Sequence, residues 1–245
     1  MKNIVVTAGG TSEPIDGVRS ITNTGTGKLG SIIADRLAEC GSDVRVYYIH
    51  AKNAVLPSSG NVDLISIETT QDLLSAVKKL FSEKRIDAVI HSMAVSDYYV
   101  DSVVTAETLL NDGKGFLNKQ ELLNYINKND VRGAYNKLPS GLQDPVILLK
   151  QTPKILPLFR QLSPGCMIVG FKLLCDVSHD TLIDIAFRLL EKNSCDFVLA
   201  NDYSTVRQGL HTGYLIDRER NEREFIGKDN IASGIVNAVL TGGIL

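Results

Sequence analysis

Ile4-Val5-Val6-Thr7-Ala8-Gly9-Gly10-Thr11 is a β-branched run that ends in two glycines and a threonine. A short apolar run of this kind predicts a buried strand, and the glycines predict a tight loop at its carboxyl end. Working outward, 28–39 carries Leu29, Ile32, Ile33, Leu37 and Ala38 at helical spacing, with Gly41 as a stop. Alternation of Val44, Val46 and Tyr48 predicts a strand over 43–49, and 62–67 predicts another. Leu73, Leu74, Val77, Leu80 and Phe81 share one face of a helix over 70–81, with Thr70 or Asp72 as its cap. A fourth strand is expected over 87–91. Strands alternating with helices imply an α/β architecture built on a largely parallel sheet.

From Tyr99 to Asp144 the rhythm breaks. Asn111-Asp112-Gly113-Lys114-Gly115 and the polar Asn127-Lys128-Asn129-Asp130 point to an insertion or flap over 101–145, with short helices at Leu109-Leu110 and Leu122-Leu123. Beyond it, strands are expected over 146–149, 167–171 and 196–200. Helices are expected over 153–161 (Pro153 at an early position), 181–192, and 229–240 with Asp229 as a cap. Thr212–Ile216 and Arg223–Ile226, joined by a charged turn, predict a hairpin. The expected whole is one α/β domain over 1–245. It has a Rossmann-like, mostly parallel sheet with helices on both faces, a flap and a β-hairpin.

The chain has 245 residues, of which 44% are apolar and 22% charged, so whole-chain disorder is excluded. A formal net charge of −2 gives no sign of a nucleic-acid partner. No apolar run approaches the ~20 residues of a membrane span, and the N-terminus has no signal-peptide pattern. A cytoplasmic location is the expectation. Cys40, Cys166, Cys175 and Cys195 fit neither a zinc motif nor a CxxC pair, and the reading is small buried hydrophobes. No metal-ligand set is expected.

Two loops invite chemistry. Gly9-Gly10-Thr11 would present backbone N–H groups at the carboxyl end of a parallel strand, where ligands bind in open α/β sheets. Asn23-Thr24-Gly25-Thr26-Gly27-Lys28 directly precedes a helix, where anions are favoured, and Thr24 or Thr26 could cap that helix. Each could also be a plain turn. The spacing at Gly9-Gly10 is not GxGxxG, and no GxxxxGK[ST] occurs. Both loops fall within one unusually long strand-to-helix connection.

Five ordered motifs carry a family resemblance. They are 7–23 (TAGGTSEPIDGVRSITN), Ala94-Val95-Ser96-Asp97-Tyr98-Tyr99-Val100, Lys150-Gln151-Thr152-Pro153-Lys154-Ile155-Leu156, Val169-Gly170-Phe171-Lys172-Leu173, and Ala200-Asn201-Asp202. Together they resemble the phosphopantothenate–cysteine ligases, also called phosphopantothenoylcysteine synthetases. The resemblance implies a stand-alone bacterial form, with no flavin. The implied reaction uses (R)-4′-phosphopantothenate, L-cysteine and a nucleoside triphosphate with Mg²⁺. An acyl-nucleotide forms with release of pyrophosphate, and the cysteine amine then displaces the nucleotide, in coenzyme A biosynthesis. CTP is the implied nucleotide and ATP the alternative. A homodimer, working with a separate flavin-dependent decarboxylase, is also implied.

The resemblance carries residue roles. Asn23 would contact the acyl-nucleotide; its plainer role is a cap or turn. Arg19 would lie near the phosphopantothenate, or form a surface salt bridge. Gly9, Gly10, Thr11, Thr26 and Gly27 would face phosphate. Asp97 would read the nucleotide, or cap the following segment, with His91, Ser92, Met93 and Ala94 flanking it. Phe171 would stack on the base, or sit in the core, with Lys172 beside it. Arg188 and Lys192, four apart on a helix face, would hold the triphosphate, or be solvated. Pro153, Lys154, Ile155 and Leu156 would close around the nucleotide, and Asn201 would join them. The flap lysine is the weakest match. Lys137, in Asn136-Lys137-Leu138-Pro139, fits best, ahead of Lys114 and Lys119.

Two other classes suit the same loops: an NAD(P) oxidoreductase and a non-catalytic nucleotide-binding protein. The first lacks its GxGxxG fingerprint in the Gly9-Gly10 loop after the first strand and shows no Tyr-x-x-x-Lys dyad at Tyr98 or Tyr99. The second would keep the loops and release no pyrophosphate.

Overall fold

The computed structural model describes residues 1–110, 115–207 and 209–244. The chain opens with β1 (Lys2–Ala8), the small strands β2 (Ser12–Pro14) and β3 (Ser20–Thr22), and helix α1 (Lys28–Ala38). β4 (Val44–Ala51), β5 (Val62–Ile67), α2 (Thr70–Glu83) and β6 (Ala88–His91) follow. The middle holds β7 (Tyr98–Thr105), α3 (Ala106–Leu110), α4 (Lys119–Lys128) and β8 (Pro145–Gln151). Next come α5 (Leu156–Leu162), β9 (Met167–Leu174), α6 (His179–Asn193) and β10 (Phe197–Asp202). The short α7 (Tyr203–Arg207), β11 (Thr212–Ile216), β12 (Glu222–Ile226) and α8 (Lys228–Thr241) complete it.

Eight strands form the main sheet in the order β12-β11-β10-β9-β6-β1-β4-β5. The six from β5 to β10 are parallel, and β11 and β12 add an antiparallel edge. Numbered among themselves, the parallel strands run 3-2-1-4-5-6, the Rossmann order. β1 shows how the sequence builds this. Ile4, Val6 and Ala8 pack on one side with α1 (Ile33, Leu37) and α8 (Ile231, Ile235). Val5 packs on the other with α2 (Leu73, Val77), α5 (Phe159) and α6 (Leu182, Ala186). Side chains alternate across a strand, so an unbroken β-branched run supplies both cores at once.

The helix starts differ from the sequence expectation. α1 is entered through Gly27 at φ 72° with no side-chain cap, and Thr26 Oγ1 offers Lys28 N–H only a long contact of 3.4 Å. α2 is capped by Thr69, not Thr70. Thr69 Oγ1 accepts from Asp72 N–H, and Asp72 accepts from Thr69 N–H, a capping box. α5 begins at Leu156, three residues past Pro153, and Pro157 takes the early position. α8 starts after Gly227, and Asp229 lies within its first turn. Of the cysteines, Cys166 and Cys195 are buried, and burial pushes the Cys195 thiol up to about 12; Cys40 and Cys175 are exposed.

β7 and β8 pair antiparallel with each other, apart from the main sheet, so the strand expected over 146–149 belongs to a separate two-stranded arm. Val100, Val103 and Leu138 form its small core, with Ile15, Val131 and Leu142 against it. Arg132 donates to the Asp130 carboxylate and the Val100 carbonyl, closing the arm on itself. Short helices occur at Leu109-Leu110 and Leu122-Leu123, as the sequence predicts. Lys114 lies outside the described residues. No helix among the described residues is long and apolar enough to cross a membrane.

Gly30 lets α1 lie flush on β1: a Cβ there would sit 2.6 Å from the Ala8 Cβ and 2.9 Å from Ser92 Oγ. Gly30→Val is expected to lower unfolding free energy by about 2–3 kcal/mol through overpacking, read as a lower urea midpoint.

Candidate active site at the strand-order switch point

The strand order reverses at β1, which has β4 on one side and β6 on the other. The crevice at the carboxyl ends of β1 and β6 is therefore where a ligand is expected. There the post-β1 and post-β6 loops are laced together. Ala94 N–H donates to Gly9 O (2.9 Å), and Thr11 N–H donates to Ala94 O (3.1 Å). Asn23 N–H donates to Thr11 O (3.2 Å), and its Nδ2 donates to Ala94 O (3.1 Å). A Cβ at Gly10 would lie 2.1 Å from the Asn23 carbonyl oxygen, so this lacing requires glycine.

A cavity of about 890 Å³ opens beside the laced loops. Gly9 and Thr24–Gly30 form one wall, and His91–Asp97 the floor. Thr152–Pro157, Phe171–Leu173, Lys192 and Asn201 form the opposite side. Thr152 ties two of these walls, its N–H donating to Asp97 O (3.0 Å) and its hydroxyl to Ser96 O (2.5 Å). Lys28, Lys154, Lys172, Lys192 and Lys228 line the cavity together with Asp97. Asp97 pairs with Lys154 at 2.5 Å. The other four lysines have no ion-pair partner among the described residues, which leaves a wall of cations suited to a polyanion.

A second cavity of about 310 Å³ adjoins the first, sharing Thr24, Gly25 and Thr26. Gly10, Asn23, Ala51, Lys52, Ala54 and Glu68 are among its lining residues. Asn23 lines the smaller cavity, and its neighbours in sequence line both.

A profile of the DNA/pantothenate metabolism flavoprotein C-terminal domain matches residues 1–114. A solved DNA/pantothenate metabolism flavoprotein from Streptococcus pneumoniae superposes with a TM-score of 0.85 at 34% identity, covering 99% of this chain and 100% of that one. The chain belongs to this family. The coenzyme A biosynthesis bifunctional protein CoaBC of Thermococcus kodakarensis is 32% identical over 93% of this chain and 45% of its own length. The chain spans about half the length of the curated relatives it matches. The C-terminal domain of a CoaBC protein shares the fold, with a TM-score of 0.69 at 22% identity over 98% of this chain and 95% of that one.

For this family member, the residues singled out in the sequence fall into three groups. Gly9, Thr26, Gly27, His91, Ser92, Met93, Ala94, Asp97, Pro153, Lys154, Ile155, Leu156, Phe171, Lys172, Lys192 and Asn201 all line the larger cavity. Gly10, Asn23 and Thr26 line the smaller. Thr11, Arg19, Lys137 and Arg188 line neither. Thr11 is fully buried, and its hydroxyl accepts the Ser96 N–H (2.8 Å) and donates to Ser96 Oγ (3.0 Å), so it braces the loops rather than facing a ligand. Arg188 is exposed and away from the cavity that Lys192 reaches, because four helical residues separate them by a full turn along the axis. Lys28, Lys228 and His211 also line the larger cavity. Lys28 belongs to the loop that the sequence already marks for anions, at a helix start; Lys228 and His211 carry no local signal.

The segments that carry Arg19 and Lys137 are bonded to each other, and neither residue lines a cavity. Arg19 forms the salt bridge with Asp16 that its plainer reading allowed. Gly17 N–H donates to Asn136 O (2.8 Å), Leu138 N–H to Asp16 Oδ2 (3.0 Å), and Arg19 Nη2 to Leu138 O (3.1 Å). The Lys137 side chain is left exposed. The Arg19 guanidinium, helped by the Val18 N–H, holds the Asp16 carboxyl well below the usual carboxylate range. Asp202 is held at about 2 by the Ser204 hydroxyl and then the Val177 N–H, which fixes the loop before α6 against the end of β10.

His91 is buried on the cavity floor, its Nδ1 2.7 Å from Thr7 Oγ1 and its ring edge-on to Phe159 at 5.1 Å. Burial pushes its pKa down to about 4, so it is neutral at neutral pH. It would therefore give a ligand a hydrogen-bonding ring without a charge.

Between the unfolded value of 6.5 and about 4, the unfolded chain takes up the proton that His91 refuses in the fold. Stability is thus complete above pH 6.5 and falls as pH drops to about 4, by about 3 kcal/mol in all. Urea titrations across that range are expected to show a flatter pH slope in His91→Gln. Asp16→Ala would leave the Leu138 N–H without its acceptor. Limited trypsin digestion is expected to cut the Lys137–Leu138 bond several-fold faster in that variant.

Proposed function

We propose that this chain is a ligase joining (R)-4′-phosphopantothenate to L-cysteine through an acyl-nucleotide, with release of pyrophosphate and the nucleoside monophosphate. CTP is the nucleotide proposed, with ATP as the alternative. The observation that carries the reading is the position of Asn23. Asn23 lines the smaller cavity while its Nδ2 bonds Ala94 of the larger, lysine-lined one, and the segment that follows it, Thr24–Thr26, lines both. The reaction has that form: a carbonyl activated by a charged nucleotide meets a second, smaller substrate at one point. Membership of a family whose relatives are named for coenzyme A biosynthesis supports it.

In the first step, a carboxylate oxygen of phosphopantothenate attacks the α-phosphorus and pyrophosphate leaves. Lys28, Lys172, Lys192 and Lys228, which line the larger cavity, would balance the triphosphate charge; Mg²⁺ would arrive with the triphosphate as part of the substrate. Gly9, Gly10, Thr26 and Gly27 would bring backbone and hydroxyl donors to the phosphates. Phe171 would pack on the base, and Asp97 with Lys154 would bound its site from the other side. Asn23 uses one amide hydrogen on Ala94 O, which leaves a second N–H and its carbonyl oxygen for the acyl group. In the second step, the cysteine amine attacks the acyl carbon and the nucleoside monophosphate departs. Lys137 is proposed to swing in toward the α-phosphate, and Arg19 to reach the phosphopantothenate, both needing the 16–19 and 136–138 contact to move. A cytoplasmic homodimer, supplying its product to a separate flavin-dependent decarboxylase, completes the proposal.

The test is pyrophosphate release from the full chain with 4′-phosphopantothenate and Mg²⁺, comparing CTP with ATP, and a cysteine-dependent amide product by mass. Release that requires phosphopantothenate supports the reading and identifies the nucleotide; folded protein giving none with either overturns it. Asn23→Ala is expected to lower kcat about 10²–10³-fold, the usual effect of removing one donor to a reacting carbonyl. Nucleotide affinity, read by thermal shift, should change little.

A further inference from the structure

The smaller cavity contains a charge arrangement that nucleotide chemistry does not use. Lys52, at the turn after β4, and Glu68, just past β5, form an ion pair in its wall. Their side chains are 64% and 41% exposed. An exposed pair of this kind contributes at most about 1 kcal/mol to stability, so exchanging its partners costs the fold little. The backbones beneath it are held firmly. Ser12 N–H donates to Glu68 O (2.8 Å), and Ala54 N–H donates to Ala51 O (2.9 Å). β2, which carries Ser12, is anchored in turn by the buried Glu13 carboxylate, which accepts from Thr70 N–H (2.9 Å) and the Thr70 hydroxyl (2.7 Å). The lining also includes Ala51 and Ala54, whose side chains are no larger than a methyl group.

A cation and an anion side by side in a cavity lined also by small apolar residues complement a zwitterion. We propose that this cavity is the site of the amino-acid substrate. The α-carboxylate takes Glu68's place on the Lys52 ammonium, Glu68 holds the α-ammonium, and the short side chain rests on Ala51 and Ala54. At about 310 Å³ the space lies at the lower end for ligand cavities, which suits an amino acid better than a nucleotide. Thr24, Gly25 and Thr26 belong to both cavities, so an amine bound here lies next to an acyl group at Asn23. The inference rests on the ligase reading for the identity of the amino acid, and on the Lys52–Glu68 cavity alone for the recognition of a zwitterion.

Cysteamine, which lacks the carboxylate, separates the Lys52 contact from the rest. In Lys52→Met the KM for L-cysteine is expected to rise about tenfold or more, as for a lost charged hydrogen bond. The KM values for nucleotide and phosphopantothenate, and the use of cysteamine, should move less than about twofold. Glu68→Gln should raise KM for both amines, since both carry an ammonium. Equal losses with cysteine and cysteamine in Lys52→Met, or no change with either, overturn the assignment. If the wild-type chain releases no pyrophosphate, the ligase reading fails and calorimetric binding of L-cysteine decides the cavity. Binding that Lys52→Met abolishes supports the zwitterion site, and absence of binding to wild type overturns it.

Discussion

The approach of three backbone segments at Gly10 is the constraint on which the crevice depends. The end of β1, the Asn23 turn and the loop after β6 come so close that a Cβ at Gly10 would lie 2.1 Å from the Asn23 oxygen. The hydrogen bonds among Gly9, Thr11, Asn23 and Ala94 hold that approach. Each is an ordinary bond worth about 1 kcal/mol net, but those that involve Ala94 close connections between chain segments some seventy or more residues apart, as the Asn23–Ala94 contact does. The side chain of Asn23 and the backbone N–H groups around it are thereby fixed before any ligand arrives, which is what preorganisation requires.

The distribution of charge follows from the same geometry. On the β6 side the crevice widens between the ends of β6, β9 and β10, and lysines from separate elements converge on it with few anions to neutralise them. On the β4 side it narrows between β2, β4 and β5, and there Lys52 and Glu68 neutralise each other. One half suits a polyanion and the other a neutral molecule with two opposite charges. The β7–β8 arm stands beside this crevice, and its loop at 136–138 reaches back to the post-β1 loop through Asp16.

Much of this was legible in the sequence. The unbroken 4–7 run, the helical spacing of 28–39 and 181–192, and the hairpin at 212–226 each became the expected element, because burial on one face imposes its period on the residues. The caps were less legible. Thr69, Gly27 and Pro157 start helices where Thr70, Thr26 and Pro153 were expected, since neighbouring residues of similar chemistry compete and only the path of the entering chain selects among them. β2 and β3 gave no signal: each is three residues long and held by its partner, and β2 also by Glu68, rather than by its own pattern.

The sequence by itself determined the α/β class, the order of its elements and the loops where a ligand would meet the backbone. These depend on local period and on glycine, which a single segment expresses alone. Only the tertiary structure decided that Lys192 faces the cavity while Arg188 does not, that Thr11 is spent on Ser96, and that Lys52 and Glu68 share a second cavity beside Asn23. Those facts depend on how distant strands end next to one another, and a side chain's chemistry is set by the neighbours that this packing brings to it.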